Sequence, residues 1–425
     1  MHSKTRILIF PGEAENAFEL YQALRFSTRF EIWGASSLPG YGNFLFQNYR
    51  DDIPKISDAN FLSIFNQFLE ENKITFIIPT HDDVALYLAE KKQTLKATLI
   101  GSSAECARLC REKNRLYTAL AHEDFCPTIY NQPEDVDQWP VFIKPNKGQG
   151  GIGCAKADSL IDLKKICNLT PDPVICEYLP GEEFTIDCFT DRHGALRFVG
   201  PRTRDVVKMG IAFVSRTMAV DADIQHIATA LNATIHPRGF WFFQVKRSKE
   251  GHLKLLEASC RAASGMSVYR QLGVNLPLLA AYDAIGMDVH ILKNDLPLTM
   301  RRRLHSSYAI PHTFDTVYVD YDDTLIVDGK VNALLMQFLY TCKNQGKHLI
   351  LLSRHPGDLM ADMQDFCVSA HLFSKIIHLK NSEKKSNFIK TEEAIFIDNL
   401  FNERSDVLHQ AGIPVFDVDA IDGLL

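Results

Sequence analysis

The stretch VFIKPNKGQGGIG, Val141 to Gly153, decides how this chain is read. Val141, Phe142 and Ile143 make an apolar run of the kind that forms a buried strand. Lys144 closes it, and Gly148, Gly150, Gly151 and Gly153 follow in a loop with little side-chain bulk. Glycine lets backbone N–H groups turn inward and approach a ligand closely. Strand, lysine and loop together suit a triphosphate. They equally suit a glycine-rich hairpin with no ligand. The spacing is neither the Walker pattern nor GxGxxG opening a helix.

Upstream, TRILIF (5–10) reads as a first strand, and Glu13 to Phe26 has helical periodicity. FEIW (30–33) and ITFIIP (74–79) read as further strands, with a helix from about Asp58 to Glu71 between them. THDD (80–83) opens another helix, and ATLIG (97–101) is a short strand. Such alternation predicts a parallel sheet whose strand ends share one ligand-binding edge. His81, Asp82 and Asp83 read either as helix caps or, with Glu13 and Glu15, as the wall of a substrate pocket. Lys113 stands just ahead of a helix within the helix-rich stretch Ser103 to Ala121.

Downstream, VICEYLPGEEFTIDCF (174–189) gives two strands around Pro180–Gly181, with Glu177 ending the first and Glu182 and Glu183 after the turn. This is a solvated hairpin, or a nucleotide hinge offering backbone beside Glu177 to adenine and a glutamate to ribose. Arg202, Arg204, Lys208 and Arg216 form a basic stretch that is either surface or a holder of an anionic substrate. Residues 239–265 read as a β-hairpin that turns Gln244 and Glu257 toward the same region. Glu257, Ser259 and Arg261 alternate and so face one side. A carboxylate, a carboxamide and a hydroxyl are oxygen ligands that suit Mg2+. Arg261 would balance phosphate charge.

Lys113, IKP…GQGGIG with Lys144, EYLPGEE and Q…LEASCR occur in an order that resembles the ATP-grasp superfamily, most closely its carbamoyl phosphate synthetase and biotin carboxylase branch. The resemblance spans roughly residues 5–310, including a Rossmann-like domain in front. It implies that Lys113 and Lys144, with Gly150 and Gly151, hold ATP phosphates. It makes Glu177, Tyr178 and Leu179 the adenine hinge and Glu183 the ribose ligand. Gln244, Glu257 and Ser259 would hold Mg2+, and Arg261 would stabilise the transferred phosphoryl group. The family's usual E-x-N-P-R reads E-A-S-C-R here, so Ser259 stands where a metal-binding asparagine is common. Glu13, His81, Arg202, Arg204 and Lys208 are the candidate substrate residues. The implied reaction activates a carboxylate with ATP and passes it to an amine.

The last third reads separately. TVYVDYDDTL (316–325) is an apolar strand ending in three aspartates, a crowding that usually needs a cation. HLILLSRH (348–355) ends its strand in Ser353, and AIFIDN (394–399) in Asp398, with Lys384 and Lys385 between. The order D-x-D-x-T, Ser, Lys, Asp closely resembles the haloacid dehalogenase-like phosphatases. That resemblance implies Asp320 as nucleophile and Asp322 as general acid and base. Ser353, Lys385 and Thr324 would bind the phosphoryl oxygens, and Asp320, Asp322 and Asp398 would hold Mg2+. The short intervals leave no room for a cap domain.

The expected fold is therefore α/β and α+β multidomain. A Rossmann-like domain (1–102) precedes an ATP-grasp domain (103–310) and a capless haloacid dehalogenase-like Rossmannoid domain (311–425). Net charge is −6 over 425 residues, which argues against nucleic acid. No apolar stretch reaches membrane-spanning length, and the N-terminus lacks a signal peptide's apolar region. Ten scattered cysteines, with no CxxC pair, suggest reduced thiols and a cytoplasmic protein. The expected cofactors are ATP and Mg2+. The expected partners are small carboxylates and amines, with the basic stretch fitting a phosphorylated one. Ligases of this architecture are often dimers, which points to a homodimer.

Overall fold

The computed structural model describes residues 4–148, 150–308 and 310–425. Gln149 of the glycine stretch and the first three residues lie outside them. The chain divides into two units, one up to Leu304 and one from His305.

The first unit opens with a parallel sheet. Its strands are β1 (Thr5–Phe10), β2 (Phe30–Ala35), β3 (Asn48–Arg50), β4 (Phe76–Pro79) and β5 (Thr98–Leu99), in the order β3-β2-β1-β4-β5. Both faces of β1 are buried, which is why Ile7 to Phe10 are continuously apolar. Leu8 and Phe10 pack with Phe61, Phe65 and Leu88 on one face. Ile7 and Ile9 pack on the other, in a core that includes Phe240, Phe242, Tyr269 and Leu276. That shared core is why segments 1–102 and 103–304 form one compact unit. The strand order reverses at β1, so the loops leaving β1 and β4 flank the crevice where such sheets bind ligands.

Two antiparallel sheets follow. β6 (Ile129–Tyr130), β7 (Val141–Pro145), β8 (Ala155–Ala157) and β9 (Pro173–Glu177) pair in the order β6-β9-β7-β8. The glycine stretch joins β7 to β8 as a hairpin, Val141 opposite Ala157. β10 (Glu183–Thr190), β11 (Leu196–Thr203), β14 (Gly239–Arg247) and β15 (Leu253–Ser259) pair in the order β11-β10-β14-β15. The short hairpin of β12 (Val206–Lys208) and β13 (Ile211–Arg216) pairs with β16 (Thr299–Arg301). One expectation is corrected here. The strands around Pro180–Gly181 are not a hairpin, because β9 and β10 belong to different sheets. The segment between them crosses from one sheet to the other. Gly181 allows the crossing: a Cβ there would lie 2.6 Å from Arg247 Cβ.

The second unit is a five-stranded parallel sheet, order β21-β20-β17-β22-β23. Its strands are β17 (Thr316–Val319), β20 (His348–Ser353), β21 (Lys375–His378), β22 (Ala394–Ile397) and β23 (Val415–Phe416). A small hairpin, β18 (Ile326–Val327) and β19 (Lys330–Val331), and the helix Ala333–Asn344 fill the interval after β17. Val317, Leu351 and Ile397 pack under Leu335 and Phe338, while Tyr318, Leu352 and Phe396 face Val407. β17, β20 and β22 are neighbours, so Asp320, Ser353 and Asp398 emerge side by side. No described helix is long and apolar enough to cross a membrane.

Candidate active sites

The first unit holds two contiguous cavities. One, about 380 Å³, lies between the two antiparallel sheets and is lined by Lys113, Lys144, Gly150, Gly151, Glu177, Tyr178, Leu179 and Glu183. The other, about 610 Å³, opens onto the edge of the parallel sheet and is lined by Glu15, His81, Asp82, Arg202, Ser259 and Arg261. Lys113, Gly150, Arg204, Gln244 and Glu257 line both.

Each wall has a local cause. Gly150 and Gly151 have φ of +64° and +73°, a left-handed backbone that favours glycine, and an added Cβ at either would meet nothing within 4 Å. Lys113 begins the helix Lys113–Ala119 and donates to Gly148 O at 3.2 Å. Burial, with help from Lys144 and Arg111 and against Glu257, pushes its ammonium below the usual lysine value. Lys144 is buried and donates to Tyr117 Oη at 2.6 Å and Leu256 O at 3.1 Å. Tyr117 Oη in turn donates to Leu256 O at 2.6 Å. Tyr117 thus aims Lys144, and no motif announces it.

β14 and β15 place Gln244 directly opposite Glu257. With its amide nitrogen toward Glu257, Gln244 donates to Oε1 at 3.3 Å and accepts from Arg204 Nη1 at 3.1 Å. Ser259 donates to Asp82 Oδ1 at 2.6 Å, and Arg261 Nε donates to Asp82 Oδ2 at 2.9 Å. Burial opposes the Asp82 carboxylate, but Arg261 and Ser259 hold its pKa below the usual aspartate value. Asp82 is therefore the organiser of this corner. The Ser259 hydroxyl proton goes to Asp82, and its oxygen keeps the lone pairs a cation would use.

Of the substrate candidates, Arg202, Arg204 and His81 line the larger cavity, and Glu13 and Lys208 line neither. Arg202 is 2% exposed and ion-paired to Asp187 at 2.8 Å across β10 and β11. Arg204 lies 2.7 Å from Glu183 and donates to Gly210 O at 2.9 Å. Lys208 is exposed, 5.2 Å from the Phe213 ring, and lines neither cavity. Glu13 lines neither, since the following turn presents Glu15 and Asn16 instead. His81 does line the larger cavity. Burial, then Arg261, pushes its pKa down, which leaves it neutral at pH 7. It precedes the helix Asp82–Glu90 without a side-chain capping bond.

In the second unit, Lys385 Nζ lies 2.7 Å from Asp320 Oδ1 and 2.6 Å from Asp398 Oδ2. All three are buried. Burial, then the charge of Asp320, pushes the Asp398 carboxyl up to about 6, against the pull of Lys385. Two carboxylates sharing one ammonium keep a net negative charge that suits a cation. Asp322, its side chain 43% exposed, meets His355 Nδ1 at 2.9 Å and accepts from Ser353 Oγ at 3.4 Å. Thr324 is corrected from the phosphate set. Its hydroxyl is fully buried, accepts from Asn399 N at 3.0 Å and faces Asn399 Oδ1 at 3.2 Å, tying two loops together. Glu403, in the first turn of the helix Phe401–Ala411, is committed to Arg354.

Comparison with known proteins bears on the first unit. A family described as "ATP-grasp in the biosynthetic pathway with Ter operon" matches residues 170–303. This part of the chain has an ATP-grasp fold. Solved structures agree on the ATP-grasp fold at low identity. The biotin carboxylase domain of Hydrogenobacter thermophilus 2-oxoglutarate carboxylase, in complex with MgADP, ADP and bicarbonate, is 14% identical with a TM-score of 0.57, over 70% of this chain and 74% of that one. Campylobacter jejuni biotin carboxylase is 16% identical, TM-score 0.57, over 70% and 75%. Staphylococcus aureus N5-carboxyaminoimidazole synthetase complexed with ADP is 14% identical, TM-score 0.57, over 71% and 83%. No curated protein matches the chain by sequence.

Proposed function

We propose that the chain is a bifunctional enzyme. Its ATP-grasp unit is an ATP-dependent, ADP-forming carboxylate–amine ligase, and its second unit is a Mg2+-dependent phosphatase of the haloacid dehalogenase type. The observation that carries the ligase reading is the junction of the two cavities. Lys113, Gly150, Gln244 and Glu257 line both, so a nucleotide in the smaller would meet an acid in the larger across a pair of oxygen donors. Gln244 and Glu257 are hard oxygen ligands of the kind Mg2+ takes alongside phosphates.

Within that reading, Lys113 and Lys144 neutralise phosphate charge, and the open backbone of Gly150 and Gly151 admits the phosphates closely. Within the hinge, the Glu177 N–H donates to Thr128 O and its carboxylate accepts from Thr128 N. Contact with adenine is left to Tyr178, Leu179 and the backbone beside Glu177. Arg261, aimed by Asp82, faces the developing phosphoryl charge. Phosphoryl transfer asks for this kind of positioning and charge stabilisation and little else. Gln244 and Glu257 would hold Mg2+, which would supply positive charge beside the phosphates.

In the second unit, Asp320 is the nucleophile and Asp322, exposed beside His355, moves the proton. Lys385 and Ser353 hold the phosphoryl oxygens, and Asp320 with Asp398 holds Mg2+. A small hairpin and one helix after β17 leave the strand ends open, which suits a bulky phosphate ester. The test is ADP release from ATP and Mg2+ by Asp320→Asn across a panel of amino acids and carboxylic acids. Substrate-stimulated release is expected, and it should vanish in Glu257→Ala. Stimulated release that survives Glu257→Ala would overturn the metal site.

A further inference from the structure

Three of the ten cysteines meet at one point. Cys106 and Cys110 are one turn apart on the helix Ala104–Arg111, so both thiols leave the same helical face. Cys260 follows directly on β15 and closes the third side. The three Sγ atoms all lie within 4.8 Å of one another, and all three residues are buried. Among the described residues, one other group of three potential ligands, Glu123, Asp124 and His226, comes as close, and two of its members are exposed. The buried Cys176, Cys188 and Cys342 belong to neither group.

Free cysteine packs readily in apolar cores, so burial alone decides nothing. The convergence of three thiols from two separate elements beside a cavity does. Cys110 also lines the larger cavity, which gives a cation a route in and leaves room for a fourth donor. A tetrahedral zinc–thiolate site has Zn–S of about 2.3 Å and hence S···S of about 3.8 Å. The Sγ atoms, all within 4.8 Å of one another, stand within about 1 Å of that spacing.

We propose that Cys106, Cys110 and Cys260 form a three-thiolate Zn2+ site whose fourth position faces the larger cavity. Binding exchanges the thiol protons for the cation, and the protons leave to solvent with no change of oxidation state. Mg2+ prefers oxygen and does not compete for thiolates. Loading would tie Cys260 to the helix Ala104–Arg111. Because Cys260 sits between Ser259 and Arg261, both bound to Asp82, it would also stiffen that corner of the cavity.

The test titrates Co2+ into the reduced, chelator-treated full-length protein. A thiolate-to-cobalt charge-transfer band saturating at one equivalent is expected, displaced by Zn2+ and unmoved by excess Mg2+. Cys110→Ser should weaken Co2+ binding at least tenfold, and Cys367→Ser, at an exposed thiol of the second unit, should not. Absence of the band in the unaltered protein, or its persistence in Cys110→Ser, overturns the proposal. Should Cys110→Ser fail to fold, the Tm of the unaltered protein decides. Zn2+ should raise it and chelation reverse the rise; an unchanged Tm at saturating Zn2+ overturns the site.

Discussion

Asp82 illustrates how one side chain can govern a site whose other members are far away in sequence. It holds Ser259 and Arg261, 177 and 179 residues distant, and its helix sets its position at the sheet edge. In Asp82→Asn, the amide keeps the shape but loses the charge that aims Arg261. Steady-state ADP release should then fall about 10²-fold in kcat, with the KM for ATP changed by no more than about twofold. A variant that loses ATP affinity and keeps kcat would show that Asp82 serves the nucleotide instead. Asp398 gives a second prediction at this scale. Its folded pKa is about 6, above the ordinary aspartate value of 3.8. Between those values the folded state holds a proton the unfolded state has released. Stability from this group is therefore full below about pH 4 and lost as pH rises through 6. With a chelator present, unfolding of the second unit should cost less at pH 8 than at pH 4.5, by on the order of 2 kcal/mol from this group. Denaturant titration of Asp398→Asn should show that slope flattened, and an identical slope would assign it to other groups.

Among the elements, two turns close over the cavities from opposite sides. The β7–β8 glycine stretch and the β12–β13 turn approach so closely that a Cβ on Gly210 would lie 2.7 Å from Gly150 Cα. Gly210 also has φ of +77°, so Gly210→Ala pays for a left-handed backbone, about 1–2 kcal/mol, and pushes the two turns apart. The expected result is a raised KM for ATP with a modest Tm loss, whereas a Tm loss with unchanged KM would separate the turns from nucleotide binding. Much of this scale was legible in the chain. ILIF, FIIP and AIFI read as buried strands because continuous apolar runs are what a sheet covered on both faces requires. Alternation put Glu257 and Ser259 on one side of β15, and Arg261, just past the strand, lines the same cavity. The crossing at Pro180–Gly181 was not legible, because two strands joined by Pro-Gly look alike whether they pair with each other or with distant partners. The partners of the basic stretch and of Ser259 were not legible for a related reason. Asp187, which pairs with Arg202, is on the neighbouring strand and not beside it in sequence. Asp82, which binds Ser259, is on another sheet's edge.

For the molecule as a whole, the two units carry separate residue sets, and that separation is testable. The ligase candidates Lys113, Gln244, Glu257 and Arg261 all lie before Leu304, and Asp320, Asp322, Ser353, Lys385 and Asp398 all lie after it. Each set is assembled within its own sheets: β14 against β15 for one, and the adjacent strand ends of β17, β20 and β22 for the other. The named members of each constellation belong to a single unit, so the chemistry of each should survive loss of the other. Asp320→Asn should lower hydrolysis of an aryl phosphate by at least about 10³-fold and leave substrate-stimulated ADP release within about twofold of the unaltered chain. Glu257→Ala should do the reverse. Both activities would be measured on both full-length variants under one buffer and one Mg2+ concentration, so that metal supply cannot account for a difference. If either substitution silences both reactions, the independence argued from the two sheets fails. The phosphoryl chemistry would then run through a single centre, with the other constellation serving to bind and not to react.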